Sequence, residues 1–391
     1  QNTSVVMPDI TSPELMLHVR GEATGDTANG LEFIQKSPVR GYIDGFTDGM
    51  TARGKGKLRL EVDVSMTGSK PPRVSGSYRF SDNQLDPGGN VPVLYAANGD
   101  LQFTESSIQA RDFRAQILGG PAVLNVQTGA DGTLQASVHG RSDMDVWRGR
   151  ASYPVLSRLH GGSEWEASVS MRKKQVNVLV TTNLAGLASD LPAPFSKERS
   201  EIVPLRFEVK SIDDDRDMLS LQYGNWLNAR LLRHDAGGEK AIRRGVVNFG
   251  GGEGRMNRRG IWLTGAIPYL SLEGWGGLQP PPADGNKAQE AGAPFGIAGA
   301  EVTIGKAVAY GHSVDDLRIG AHSQDGVLTA RLASKEINGE LTWQPQDGGR
   351  LVAHLRNLNL GGGELGGHEV TAWKPAIDSS PRSTEFPALN L

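Results

Sequence analysis

The stretch Lys57-Leu-Arg-Leu-Glu-Val-Asp-Val-Ser-Met66 alternates polar and apolar residues without a break. A strand sends successive side chains to opposite faces. Leu58, Leu60, Val62, Val64 and Met66 therefore share one face, and Lys57, Arg59, Glu61, Asp63 and Ser65 share the other. Whatever covers the greasy face decides the fold.

The same two-faced pattern recurs along the chain, punctuated by glycine. Upstream, Leu15, Leu17 and Val19 predict a strand, followed by a polar loop at 21–30. Leu31 to Met50 has mixed periodicity and predicts two short helices separated at Pro38. Downstream, strands are predicted at Val74–Phe80, Leu101–Phe103 and Ile108–Ile117, the last with a phase slip near Asp112 that a bulge explains. Ala122–Val126 and Leu134–Val138 flank Asp131-Gly132, a hairpin signal. A short helix is predicted over Tyr153–His160, then strands at Trp165–Met171 and Val176–Val180. The second half continues with Leu205–Val209, Leu219–Tyr223, Leu227–Leu231, Ile242–Phe249, Ile261–Ile267 and Leu270–Leu272. After these come Ala300–Ile304, Val314–Ile319, 326–332, Ile337–Trp343 and Arg350–Leu355.

Composition agrees with an all-β chain. Of 391 residues 51 are Gly, about twice the usual rate, and hydrophobic residues are only 38%. That balance favours short strands and tight turns over packed helices. A net charge of -3 gives no footprint for nucleic acid. The absence of cysteine removes disulfides, zinc–thiolate sites and thiol catalysis, and an oxidising compartment is compatible with it. No apolar run approaches the ~18–20 residues of a membrane-spanning helix. The chain opens at Gln1 without a basic-apolar leader and closes at 385–391 on what reads as another strand. It is therefore expected to be an internal-to-carboxyl-terminal piece of a longer protein.

Four stretches organise the chain. Residues 1–200 form a β segment with short helices near 31–49 and 153–160, and 201–279 form a second β segment. Residues 280–293, rich in Pro, Gly and Ala, form a flexible loop. Residues 294–391 form a third β segment. Pro294–Ile304 is echoed by Phe386–Leu391, a repeat of about 90 residues of the kind stacked architectures show.

Several short segments resemble the AsmA-like proteins of the YhdP type. They are Phe33-Ile-Gln-Lys-Ser-Pro38, Gly99-Asp-Leu-Gln-Phe-Thr-Glu105, Leu118-Gly-Gly-Pro121, Asn183-Leu-Ala-Gly-Leu-Ala188, Asp190-Leu-Pro-Ala-Pro-Phe-Ser-Lys197, Ile337-Asn-Gly-Glu-Leu-Thr-Trp343 and the terminal Leu389-Asn-Leu391. The resemblance extends over most of the chain, and Asp190–Lys197 is its most specific member. The resemblance implies a protein anchored in the inner membrane of a Gram-negative cell and projecting into the periplasm. It implies similarity to bridge-like lipid-transfer proteins, whose strands curl into a trough that conducts phospholipid toward the outer membrane.

The residues lead to the same architecture. One alternating sheet must hide its apolar face against helices, another sheet or a ligand. Helical patterns are too few to cover about 20–25 strands, so the sheet must fold on itself. Closed tightly, it is a sandwich or solenoid filled by its own side chains. Left open, it is an elongated, twisted antiparallel sheet curled into a trough that holds something apolar. A 16-carbon chain entering a dry groove gains on the order of 12 kcal/mol. About 20 strands at ~4.8 Å spacing would extend roughly 100 Å.

The resemblance favours the trough. The lining it implies is Leu58, Leu60, Val62 and Val64, then Leu101, Phe103, Ile108 and Ala110. It continues through Leu124, Val126, Leu134, Val138, Trp165 and Val169, then Val176, Val178, Val180 and Phe207, and ends at Leu219, Leu221 and Leu231. The expected partners are phospholipid acyl chains, and both membranes through parts outside this chain. A monomer without cofactor, metal or nucleic acid is expected.

Other chemistry finds little support. The eight histidines include no pair at i,i+4 or i,i+2 spacing. Asp213-Asp-Asp-Arg-Asp217 opens like a calcium loop, but Met218 and Gly224 occupy the sixth and twelfth positions, where Gly and Glu are required, so a solvated turn is expected. Gly250-Gly-Gly-Glu-Gly254 lacks the Lys of a phosphate loop and reads as a hairpin. Gly311-His-Ser-Val-Asp315 lacks the closing Gly of a nucleophile elbow. A carbohydrate-active enzyme would need a carboxylate pair that the sequence does not single out. No enzymatic activity is expected. Trp165, Trp226, Trp262, Trp275 and Trp343 are left open between core and groove edge.

Overall fold

The computed structural model describes residues 2–7, 15–36, 40, 47–68, 70–88, 91–150, 153–172, 175–235, 240–275, 297–324, 326–344 and 350–360. Among the described residues the chain is all-β with little helix, and its strands pair into ladders that do not close into a barrel. Two compact units divide it. Unit 1 takes in Gln1–Ser152, His160–Leu187 and Ile202–Asp214; unit 2 takes in Tyr153–Leu159, Ala188–Glu201 and Asp215–Leu391. The loop expected at 280–293 and the echo at Phe386–Leu391 lie outside the described residues.

In chain order the first elements are β1 (Asn2–Val6), β2 (Met16–Asp26), helix α1 (Thr27–Lys36), β3 (Thr51–Ser65), β4 (Arg73–Asp86), β5 (Leu94–Thr104) and β6 (Ile108–Ile117). They continue with β7 (Gly120–Thr128), β8 (Leu134–Arg141), helix α2 (Met144–Arg148), a 3-10 turn (Pro154–Arg158), β9 (Leu159–Gly161), β10 (Glu164–Arg172), β11 (Gln175–Thr182), β12 (Leu187–Ser189) and β13 (Leu205–Ser211). In unit 1 the ladder runs β1-β2-β3-β4-β5-β6-β7-β8-β10-β11-β13, every pair antiparallel. The sequence places a polar loop at 21–30, but β2 runs on to Asp26 and α1 starts at Thr27. The strand survives there because its backbone pairs in full with Lys55–Lys57 of β3.

A line of bulges crosses β3 to β6. Each of these strands carries a residue in the left-handed region: Gly54 (φ 112°), Asp82 (52°), Ala96 (48°) and Asp112 (51°). The ladder register slips beside each of them, including the slip expected near Asp112. Bulges bend a strand and sharpen its twist. Asparagine side chains accept from the backbone amides freed there, Asn98 from Asp82 at 2.9 Å and Asn125 from Asp112 at 3.0 Å. Around this line Ala97, Ala110, Phe113, Ala115, Ile117, Ala122 and Trp165 form a buried cluster.

Unit 2 contains β14 (Arg216–Tyr223), β15 (Leu227–Asp235), β16 (Lys240–Phe249), β17 (Gly260–Ser271), β18 (Ile297–Ala309), β19 (His312–Gln324), β20 (Val327–Ala333), β21 (Ile337–Gln344) and β22 (Arg350–Leu358), paired in that order. Two junctions depart from the expected antiparallel sheet, since β16–β17 and β17–β18 are parallel. The glycine-rich 250–254 is therefore no hairpin. It begins a return crossover laid over the polar face, where Asn248 donates to the Gly251 carbonyl at 2.6 Å and Arg230 pairs with Glu253 at 2.5 Å. The strands expected at Ile261–Ile267 and Leu270–Leu272 run together as one strand, β17, which ends at Ser271. The core of unit 2 lies on β17–β20 and includes Ile267, Ala300, Val302, Ile304, Leu317 and Ile319.

Candidate functional site

Residues directly opposed across a ladder share a face, so the register can be followed as files running from strand to strand. One file in unit 1 is apolar at every step: Ala23, Leu58, Tyr78, Leu101, Ala110, Val126, Ala136, Val169, Val178 and Val209. It crosses ten strands, about 43 Å at ~4.8 Å per strand. Beside it, Phe113, Leu124, Val138, Ala167, Val180 and Phe207 make a second file. On its other side Leu60 opposes Gly76, Gly76 opposes Phe103, and Phe103 opposes Ile108. Leu134 opposes Met171, which opposes Val176, and Val62 and Val64 oppose Val19 and Leu17.

The register thus brings every lining residue expected in unit 1 onto one face. Ala110 and Trp165 are buried, and the rest are partly exposed to solvent. Ala23, Tyr78, Ala136 and Val209 belong to the same file and are absent from the expected lining. Alanine carries little hydrophobic signal, and the face of β4 becomes evident only from its pairing with β3.

The opposite face of unit 1 is ionic. Glu22 lies between Lys57 (2.6 Å) and Arg59 (2.7 Å), Arg79 meets Asp100 at 2.7 Å, and His18 Nδ1 sits 2.5 Å from Asp63. Hydrogen bonds from Lys57 and Arg59 hold the Glu22 carboxyl below its usual range, and one from Arg79 does the same for Asp100. One sheet therefore presents a charged face and an apolar face, as Lys57–Met66 implies.

In unit 2, Leu219 opposes Leu231, and Leu221 lies on the same face opposite Ala229. The file through Leu221, Ala229, Val247, Leu263, Ala300, Ala321, Ala330, Leu341 and Ala353 crosses nine strands and both parallel junctions. Its middle members Ala300, Ala321 and Ala330 are buried, while Leu221, Ala229, Val247 and Leu263 are partly exposed.

An ion pair interrupts this face. Asp217, expected in a solvated turn, lies in β14 opposite Arg233 and is buried. The neighbouring Asp214 and Asp215 are exposed. Among the described residues no group of three or more metal-ligating side chains converges.

The tryptophans divide. Trp165 is buried in the unit 1 cluster and Trp343 packs against the unit 2 core. Trp262 lies under Arg258, 4.2 Å from its guanidinium carbon. Trp226 and Trp275 join Phe195, whose ring centroid is 5.2 and 5.8 Å from theirs, and Trp226 stacks on Phe249 at 6.4 Å. The Asp190–Lys197 segment thus delivers an aromatic side chain to the end of the unit 2 apolar face. Burial lowers the Lys197 ammonium pKa and raises that of the Tyr223 phenol.

Among the described residues no helix is long and apolar enough to cross a membrane. A family model described as YhdP protein matches residues 1–391. No curated protein and no solved structure matches the chain.

Proposed function

The chain belongs to the YhdP family, and we propose that it is a non-enzymatic periplasmic segment of an AsmA-like protein that conducts phospholipid between the inner and outer membranes. Acyl chains lie on the apolar files, and head groups stay in water. The membrane anchor and the docking ends belong to parts outside this chain, and the segment acts as a monomer.

The observation that carries this is the ten-strand file of unit 1. It is apolar at every register position, and nine of its ten members keep part of their surface open to solvent. An apolar surface of that extent is costly in water unless something covers it. A 16-carbon chain covering it gains on the order of 12 kcal/mol, and an even lining offers no single site at which the chain must stop.

The test is organic extraction and native mass spectrometry of protein purified from a Gram-negative host. Phospholipid bound in at least equimolar amount is expected. Protein that is folded and consistently free of lipid, also after incubation with phospholipid vesicles, would favour a spacer or assembly role.

A further inference from the structure

Three aromatic side chains on the apolar face of unit 1 occupy space that a neighbouring strand leaves empty by using glycine. A Cβ on Gly56 would collide with the Tyr78 ring and hydroxyl. One on Gly76 would fall 2.5 Å from Cζ of Phe103, and one on Gly140 would fall 2.7 Å from Cζ2 of Trp165. Carbon atoms in contact sit about 3.5–4.0 Å apart, so no side chain fits beneath these rings. Gly76 directly opposes Phe103 and Gly140 directly opposes Trp165, while Gly56 opposes Phe80, two residues along from Tyr78. Each ring therefore lies down across the adjacent strand instead of standing up from the sheet.

Tyr78 is also held at its far end. Its hydroxyl donates to Thr27 Oγ1 at 2.9 Å, and Thr27 donates to the fully buried Asn83 at 2.5 Å. Tyr78 is a member of the ten-strand file.

We propose that these glycine seats keep the rings flat, and so keep the apolar face of unit 1 level enough for an acyl chain to lie along it. The inference rests on the lipid-conducting function. With the rings flat, the floor is level and a straight chain passes over it. A methyl group under a ring tips the ring upward and puts a step in the file.

The test uses native mass spectrometry after incubation with vesicles of 16-carbon phosphatidylethanolamine and phosphatidylglycerol. The wild-type chain is expected to take up these straight-chain lipids. Gly56→Ala should reduce straight-chain binding at least tenfold with the fold retained. Adding Tyr78→Leu to Gly56→Ala should restore it, because the file stays apolar and the step is gone. Should Gly56→Ala not fold, Gly140→Ala with and without Trp165→Leu provides the same comparison. Equal binding by wild type and the folded single variant overturns the inference while leaving lipid binding standing, as does failure of the double variant to recover. A wild-type chain that takes no lipid removes the lipid function and this inference together.

Discussion

Arg233 grips Asp217 with two parallel hydrogen bonds, Nε to Oδ1 at 2.8 Å and Nη2 to Oδ2 at 2.6 Å, and the side chains are only 12% and 10% exposed. The two residues oppose each other across β14 and β15, one pleat along from Leu219 and Leu231. A planar bidentate fork can balance the desolvation of both charges, which a single buried charge cannot do. Removing one partner strands the other. Asp217→Asn should cost about 3 kcal/mol in urea unfolding. The double replacement Asp217→Leu with Arg233→Met should come close to wild type. Equal losses from both would show that the ion pair is not what the site depends on.

Trp165 is 7% exposed and its buried indole N–H has no hydrogen-bond partner. An orphaned buried donor costs about 1–3 kcal/mol. Trp165→Phe gives up some packing area but also removes that donor, so its melting temperature should stay close to wild type. Trp165→Ala leaves a cavity among Ala122, Phe113 and Ile117 and should cost about 3–5 kcal/mol. A Phe variant as unstable as the Ala variant would mean that the indole nitrogen has a favourable role.

Val178 sits near one end of the ten-strand file and is partly exposed. A glutamate there can reach water, so Val178→Glu should fold while losing most bound phospholipid. Val64→Glu should behave alike. Ser168→Glu, on the exposed opposite face of β10, serves as the charge-matched control and should keep its lipid. Unchanged lipid content in Val178→Glu would remove the file from the conducting path.

The ionic face predicts an acid limb. The carboxyls of Glu22, Asp100 and Asp131 titrate below their ordinary values, because hydrogen bonds from Lys57 and Arg59, from Arg79, and from Thr133 respectively favour the charged form. A folded pKa below the unfolded one contributes stability above the unfolded value and loses it as pH falls through the folded value. The melting temperature should therefore change little from pH 8 to about pH 5 and drop as the pH goes below about 4. These pairs are open to solvent, so the drop should be shallow and smaller in high salt. A melting temperature that rises on acidification would contradict the assignment.

Alternation carried most of the architecture. Strands such as Leu58–Met66, Ala122–Val126 and Trp165–Met171 declare both their conformation and their greasy side, because the pleat has a period of two. The slip at Asp112 announced its bulge for the same reason. Elements without that contrast stayed hidden. The start of α1 is Thr27-Ala-Asn-Gly, and the first half of β3 is Thr51-Ala-Arg-Gly-Lys-Gly-Lys, both too polar to show which face packs.

What the chain's residue order determined alone is that strands dominate and that each has one apolar side, since a side chain's face follows from its position along its own strand. Direction and register were decided only in three dimensions. Periodicity is the same read forward or backward, so nothing in Ile261–Ile267 distinguishes the parallel partner it has from the antiparallel one expected. Whether Val62 meets Val74 or Ser75 depends on backbone pairing between strands far apart in sequence, and so does the fate of Asp217, whose charge is tolerable inside only because β15 places Arg233 opposite it.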